Sequence, residues 1–240
     1  MRNFSFVGGN IPTRYIDNDG QLQPFAANHA AESGELQILQ QLYAWDILPT
    51  EGGANLAAEN GHMEVLQQLY DWGINANYMG ANFAAGNGHM KILHKLHDWG
   101  INANRAAANK AAEQGNLEIL TTLHNWGINA DEDGANPAAG NCHMEILQQL
   151  YKWDIVPNRQ GANFAAGNGH MEVLQRLHDW GILPTQFGAN VTAGNGHMEI
   201  LQQLYKWDIV PNRQGANFAA EKGQMEVLQQ LYDWDIVPLA

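Results

Sequence analysis

The chain has 240 residues, room for one or two ordinary globular domains, with 45% apolar residues, 15% charged residues and a formal net charge of −13. A phosphate-binding surface needs clustered Lys and Arg, so this balance predicts no nucleic-acid partner. Cys142 is the only cysteine, which excludes an intramolecular disulfide framework and a multi-thiolate zinc site, and no stretch of 18 apolar residues offers a membrane span. The expected setting is a soluble, cytoplasmic protein with no membrane partner.

Residues 1–25 lie outside any periodic pattern and lack the continuous apolar run of a signal peptide. Asn18-Asp19-Gly20 reads as a turn between Tyr15-Ile16 and Leu22, and the whole segment is expected to cap the first repeat. From residue 26 the chain repeats every 27 residues. Trp45, Trp72, Trp99, Trp126, Trp153, Trp180, Trp207 and Trp234 are all its tryptophans and keep that spacing. Asparagines from Asn28 to Asn217 and isoleucines from Ile47 to Ile236 keep the same register. The units are 26–52, 53–79, 80–106, 107–133, 134–160, 161–187, 188–214 and 215–240. Glu145 to Ala166 recurs residue for residue at Glu199 to Ala220, the mark of a duplicated two-unit block.

Each unit reads as a helical hairpin. In the unit 53–79, Ala54-Asn55-Leu56-Ala57-Ala58 suits a first helix whose small side chains allow close approach. Asn60-Gly61 makes the turn, with the glycine tolerating a left-handed backbone. Met63, Val65, Leu66, Leu69, Tyr70 and Trp72 then fall on one half of a second helix, opposite Glu64, Gln67, Gln68 and Asp71. A helix of about ten residues is marginal alone in water, so it must be stabilised by its neighbours. Its end takes glycine at Gly73, Gly100, Gly127 and Gly181, or aspartate at Asp46, Asp154, Asp208 and Asp235, each aspartate followed by an apolar pair and proline. Stacked hairpins bury a core shared only between neighbours, the architecture of a solenoid. The tryptophans are expected in the core or between repeats.

The string Gly61-His62-Met63-Glu64-Val65-Leu66, followed by Leu69, Gly73 and Asn75 and preceded by Ala57-Ala58, resembles the ankyrin repeat over nearly all of residues 26–240. The unit is six residues shorter than an ankyrin unit and begins Gly-Ala-Asn. The resemblance implies an all-α, right-stacked solenoid of eight helical hairpins, with short linkers in place of full β-hairpins. It further implies a protein-protein interaction scaffold, not an enzyme, similar to the host-targeting modules of intracellular bacteria, viruses or protists, which would place it in a host cytoplasm. The alternative is a structural or regulatory arm of a larger enzyme. The asparagine ladder sits where the ankyrin histidine would be, so it is expected to hydrogen-bond adjacent linkers.

No catalytic constellation, metal site or cofactor is expected. His62, His89, His143, His170 and His197 recur at one turn position, as structural residues. His94, His97 and His124 could be imagined around zinc, but His97, His124 and His178 alternate with Tyr70, Tyr151 and Tyr205 as exchangeable half-buried rings. Cys142 replaces a turn glycine and has no neighbouring base in sequence. Recognition should come from positions that vary on the invariant frame: the linker tips and the outer face of the first helix. The candidates are Tyr78, Met79, Arg105, Glu132, Asp133, Arg159, Phe187 and Arg213 at the tips, with Lys110 and Gln114 in the unit that departs most from its neighbours. The expected partner is a protein. The last unit keeps its full apolar set, so self-association through that uncapped repeat, or further chain, is also expected to cover it.

Overall fold

Alanine at the inner positions of the first helix and a branched apolar stripe on the second should give two helices per unit, and this is the observed element order. The computed structural model describes residues 11–17, 21–23 and 25–238, and they divide into two compact units, up to Ala107 and from Ala108. The first holds a single 3-10 turn (Thr13–Tyr15), then α1 (Ala26–Glu32), α2 (Leu36–Ala44), α3 (Glu51–Glu59), α4 (Met63–Asp71), α5 (Tyr78–Gly86) and α6 (Met90–Asp98). α7 (Arg105–Glu113) spans the division. The second holds α8 (Leu117–Asn125), α9 (Glu132–Gly140), α10 (Met144–Lys152), α11 (Arg159–Gly167), α12 (Met171–Asp179), α13 (Gln186–Gly194), α14 (Met198–Lys206), α15 (Arg213–Glu221) and α16 (Met225–Asp233). Each unit is an all-α solenoid of stacked helical hairpins.

Within each unit the odd-numbered first helices pack directly on one another, α1 on α3 on α5, and α9 on α11 on α13 on α15. Their inner positions are alanines of near-zero exposure, such as Ala162, Ala165 and Ala166, and side chains that small let backbones approach closely. The even-numbered helices contribute the larger apolar groups. Leu201, Val227 and Leu231 close around Ala193, Ala216 and Ala219, and Leu174, Ile200 and Leu204 around Ala166 and Ala189. The core therefore lies between consecutive hairpins.

The tryptophans take the inter-repeat alternative, and they are half-buried, not enclosed. Each follows its helix as the C-cap residue, and its indole stacks on the ring two residues before the equivalent point of the preceding hairpin. Trp72 lies on Tyr43 and Trp99 on Tyr70, both at 3.8 Å between centroids. In the second unit Trp153 stacks on His124, Trp180 on Tyr151, Trp207 on His178 and Trp234 on Tyr205. Tyrosine and histidine exchange there because either offers a flat ring face.

Asparagine at the fifth position of the first helix joins each hairpin to the next. Asn55 Oδ1 accepts the backbone N–H of Asn77 at 2.9 Å and of Gly80 at 3.2 Å. Asn136 does the same for Asn158 and Gly161, at 2.9 and 3.1 Å. Asn28, Asn82, Asn109, Asn163 and Asn190 accept from Thr50, Asn104, Asp131, Thr185 and Asn212. One side-chain oxygen thus satisfies the otherwise unpaired donors at the start of the following helix. This contact explains the recurring glycine at that helix's third residue: a Cβ on Gly161 would come within 2.8 Å of Asn136 Oδ1, and one on Gly188 within 2.5 Å of Asn163 Oδ1.

A second set of asparagines works at the other end of the first helix. Asn87, Asn141, Asn168 and Asn195 donate through Nδ2 to the carbonyls of Glu59, Glu113, Gly140 and Gly167, one hairpin earlier. The turn glycines after them have left-handed φ, as expected, and a second duty. A Cβ on Gly61 would meet the His89 ring at 2.8 Å, and one on Gly169 the His197 ring at 2.9 Å. Cys142 adopts φ 63° at the same place, and Asp46, Asp154, Asp208 and Asp235 adopt 59–62° at the second-helix ends.

Ahead of α1, Ile16 and Leu22 form an antiparallel bridge, Tyr15 is buried, and Arg14 pairs with Glu35 at the start of α2. The flanks of the expected turn therefore meet over the first hairpin. Asn18-Asp19-Gly20 itself, residues 1–10 of the cap and Ala240 lie outside the described residues.

Replacing Asn136 by alanine leaves the buried N–H of Gly161 and the part-buried N–H of Asn158 without this acceptor and should destabilise the second unit by about 1–3 kcal/mol in urea unfolding, whereas Asn141→Ala, on an exposed carbonyl bridge, should cost less than about 1 kcal/mol. Gly61→Ala combines a left-handed backbone with a ring collision and should cost more than about 1 kcal/mol in the same measurement.

Candidate functional site

The candidate tips turn out to lie in the first turns of the first helices, not in the linkers before them. Their placement is firm because the starts of α5, α9, α11 and α15 are each capped twice, while α13, behind Thr185, has the ladder contact alone. Asn77 presents its N–H to Asn55, and its own Oδ1 accepts the N–H of Met79 at 2.8 Å. Asp131 caps Asp133, Asn158 caps Gln160 and Asn212 caps Gln214 in the same way. An extended N-cap whose oxygen accepts from the second helical residue is the geometry these residue types favour. Side chains at the first two helical positions therefore project from fixed backbone.

In the first unit Tyr78 and Met79 open α5, 52% and 40% exposed, and Arg105 opens α7. In the second, Lys110 is exposed on α7 and paired with Glu113 at 2.7 Å, with Gln114 exposed just beyond that helix. Glu132 and Asp133 open α9, Arg159 opens α11, Phe187 is the second residue of α13 at 55% exposure, and Arg213 opens α15. Glu132, Arg159 and Arg213 thus occupy one position on successive or alternate hairpins. Lys110 lies on the later part of α7 and Gln114 just past its end, both away from the tip register.

Electrostatics separates the tips into two kinds. Glu51 and Glu132 sit at helix N-termini, where a negative charge suits the dipole, and each accepts from the cap asparagine of the next hairpin, Asn77 and Asn158. Arg105, Arg159 and Arg213 put a positive charge at the same unfavourable end. Helix stability accounts for the glutamates and not for the arginines. Beside Arg159 an open groove of about 580 Å³ runs between neighbouring linkers, lined by Asn158, Ile182, Leu183, Pro184 and Ile209.

From the sixth position of the first helix the site reading took only Lys110 and passed over its apolar occupants. That position carries Leu56 and Phe83 in the first unit, and Pro137, Phe164, Val191 and Phe218 in the second. Phe83 is 44% and Phe164 37% exposed. An apolar residue recurring on the side of an alanine-rich helix that faces away from its second helix was the available signal. The histidines at the turns are half-buried over the preceding hairpin. His97 and His124 each present Nδ1 to a linker asparagine oxygen, of Asn102 at 2.6 Å and Asn129 at 2.7 Å. Cys142 is exposed. Among the described residues no three His, Cys, Asp or Glu side chains converge as a metal site, and no helix is long and apolar enough to cross a membrane.

No family model matches the chain, and no curated protein does. Its fold is similar to that of solved pentatricopeptide repeat proteins. The crystal structure of PPR10 from maize aligns at a TM-score of 0.51 and 15% identity, over 87% of this chain and 38% of that one. PPR10 in complex with an 18-nucleotide psaJ RNA element, and a cysteine-substituted form of that complex, align at 0.56 and 17%, over 93% and 40%. The chain therefore spans about 40% of the length of these structures.

Two expectations are corrected. The ankyrin resemblance does not stand, because the fold neighbours belong to a different helical-repeat family and no family model supports it. The string it rested on, a Gly turn followed by Met-Glu-Val-Leu-x-x-Leu, is what any short amphipathic helix needs when it must stack on its neighbours. The exclusion of nucleic acid falls as well, since two of those structures of similar fold are complexes with RNA. Net charge sums a whole chain, whereas a ligand meets a few side chains on one face. What stands is a helical-repeat scaffold.

Tyr78 and Phe187 are about half exposed and Arg159 is exposed, so changing the three to alanine should cost less than about 1 kcal/mol per site, read from thermal unfolding by circular dichroism.

Proposed function

We propose that the chain is a non-enzymatic binding scaffold that engages a protein partner through the first-helix tips and the adjoining face of the same helices. The observation that carries this reading is the contrast at the tips. The frame around them is nearly invariant, down to the asparagine that pins each helix start, while the tip itself changes from Glu132 to Arg159 to Gln186 to Arg213 along the second unit. Arginine at that position works against the helix dipole, so a role outside folding explains it better. Exposed Tyr78, Met79 and Phe187 add residue types that anchor protein interfaces.

A second reading is RNA binding, which the PPR10–RNA structures favour. On this reading the exposed phenylalanines would stack on bases. At the tips themselves Glu132 and Asp133 accompany Arg159 and Arg213, so that register offers no unbroken row of cations for phosphates.

Affinity capture from lysate, with and without ribonuclease, separates the two. The protein reading expects one specific protein to be retained after nuclease treatment and lost when Tyr78, Met79, Glu132, Asp133, Arg159, Phe187 and Arg213 are changed to alanine. Recovery of RNA, or loss of all bound protein on nuclease treatment, would replace it with the RNA reading.

A further inference from the structure

Four turns of the array carry the same reactive pair. Asn60, Asn87, Asn168 and Asn195 each precede a glycine and then a histidine. In an Asn-Gly pair the glycine backbone nitrogen has an open path to the asparagine Cγ, because no Cβ shields it. When the N–Cγ bond forms, the side-chain amide leaves as ammonia, and water then opens the cyclic imide at one carbonyl or the other to give aspartate or isoaspartate. Asparagine is among the thermolabile residues. The backbone of the four turns is nearly identical: the asparagines end their helices at φ −91 to −97° and ψ −2 to 5°, and the glycines after them have φ of 79–86°. Asn60, Asn87 and Asn168 are all exposed, and Asn195 is half-buried. At Gly61 and Gly169 alike the histidine ring of the next hairpin lies against the glycine. Neither backbone, exposure nor that ring separates Asn60 from Asn168.

The sites differ in what holds the amide that must leave. Nδ2 of Asn87, Asn168 and Asn195 donates to the carbonyls of Glu59, Gly140 and Gly167, one hairpin back, at 2.9, 2.9 and 2.7 Å. Turning any of these side chains toward the glycine nitrogen breaks a contact between hairpins. Asn195 is held a second time, by Lys222 Nζ, which donates to its Oδ1 at 2.6 Å. Asn60 is held differently. Its Nδ2 donates at 3.0 Å to the carbonyl of Leu56 in its own helix, and that carbonyl already accepts the backbone N–H of Asn60 at 3.0 Å. Releasing the Asn60 side chain therefore leaves the carbonyl still paired, and no second hairpin has to move.

We propose that Asn60-Gly61 is a site of spontaneous covalent modification in the folded chain, converting to aspartate and isoaspartate with water as the one co-reactant, while the bonds between hairpins protect Asn87, Asn168 and Asn195. The inference is independent of which partner the scaffold takes. Its product is not neutral for the fold. Aspartate at this place adds a carboxylate beside Glu59 at the C-terminal end of α3, where a negative charge opposes the helix dipole. Isoaspartate also inserts a CH2 into the backbone of the turn between α3 and α4. Glu59 is the residue whose carbonyl receives Asn87 from the next hairpin, so conversion of Asn60 disturbs the turn on which that neighbouring tie depends.

Peptide mapping by mass spectrometry of the full chain, aged in mildly alkaline buffer, reads the four sites separately. In the folded chain Asn60 should convert at least about five-fold faster than Asn87, Asn168 or Asn195, the factor that one hydrogen bond of ordinary net strength supplies. The same chain aged in enough urea to unfold it should lose this order, because all four sites share the Asn-Gly-His sequence. Asn60→Ser should remove the early product and leave the other three rates unchanged. Equal rates in the folded chain, conversion at none of the four sites, a lead by any of the other three, or an Asn60 lead that persists in urea would overturn the proposal.

Discussion

One acceptor per hairpin holds the geometry together. The Oδ1 of the ladder asparagine takes the backbone N–H that opens the next first helix, and in the best-formed cases a second N–H from its third residue. This contact favours the glycine at the third helical position, replaced by alanine only at Ala107, together with the extended cap before the helix and the direction of the tip. Apolar burial drives hairpins together without choosing a register. The asparagine chooses it, since a carbonyl aimed at two N–H groups tolerates little sliding.

The other repeated contacts divide the remaining work. Alanine lets first helices approach, leucine and valine of the second helices fill the space between hairpins, and indole rings close the far edge by stacking on tyrosine or histidine. Every one of these is a nearest-neighbour interaction, so stability should be nearly a sum over hairpins and their interfaces. That leaves the arginines at the tips, unlike Glu132 and Gln186 that accept from the next cap asparagine, without a part in this framework.

Much of this was legible in the chain itself. A tryptophan every 27 residues forces the period, the alternation of small and branched apolar runs gives two helices, and the Asn-Gly turn separates them. The role of the asparagine ladder was expected only through the ankyrin resemblance, which does not stand, although the bonds to the next linker are there, as from Asn158 and Gly161 to Asn136. The family was not legible: a motif dictated by amphipathic stacking is shared by unrelated helical repeats, and Met63 to Leu69 satisfies that demand whatever its ancestry. Partner class could not be read from the charge, since Arg159 and Phe164 act locally while the charge is summed over the chain. The row of Phe164, Val191 and Phe218 escaped notice because its signal is divided between two hairpins, a glycine in one and a bulky side chain in the next.

Amide hydrogen exchange of the intact chain tests the central claim most directly. If the asparagine ladder fixes each helix start, the N–H groups of Asn77, Asp131, Asn158, Thr185 and Asn212, which lie outside any helical ladder, should exchange as slowly as amides inside the first helices. Exchange of those five at the rate of open linker amides would show that the ladder does not hold the hairpins, and that burial alone sets their register.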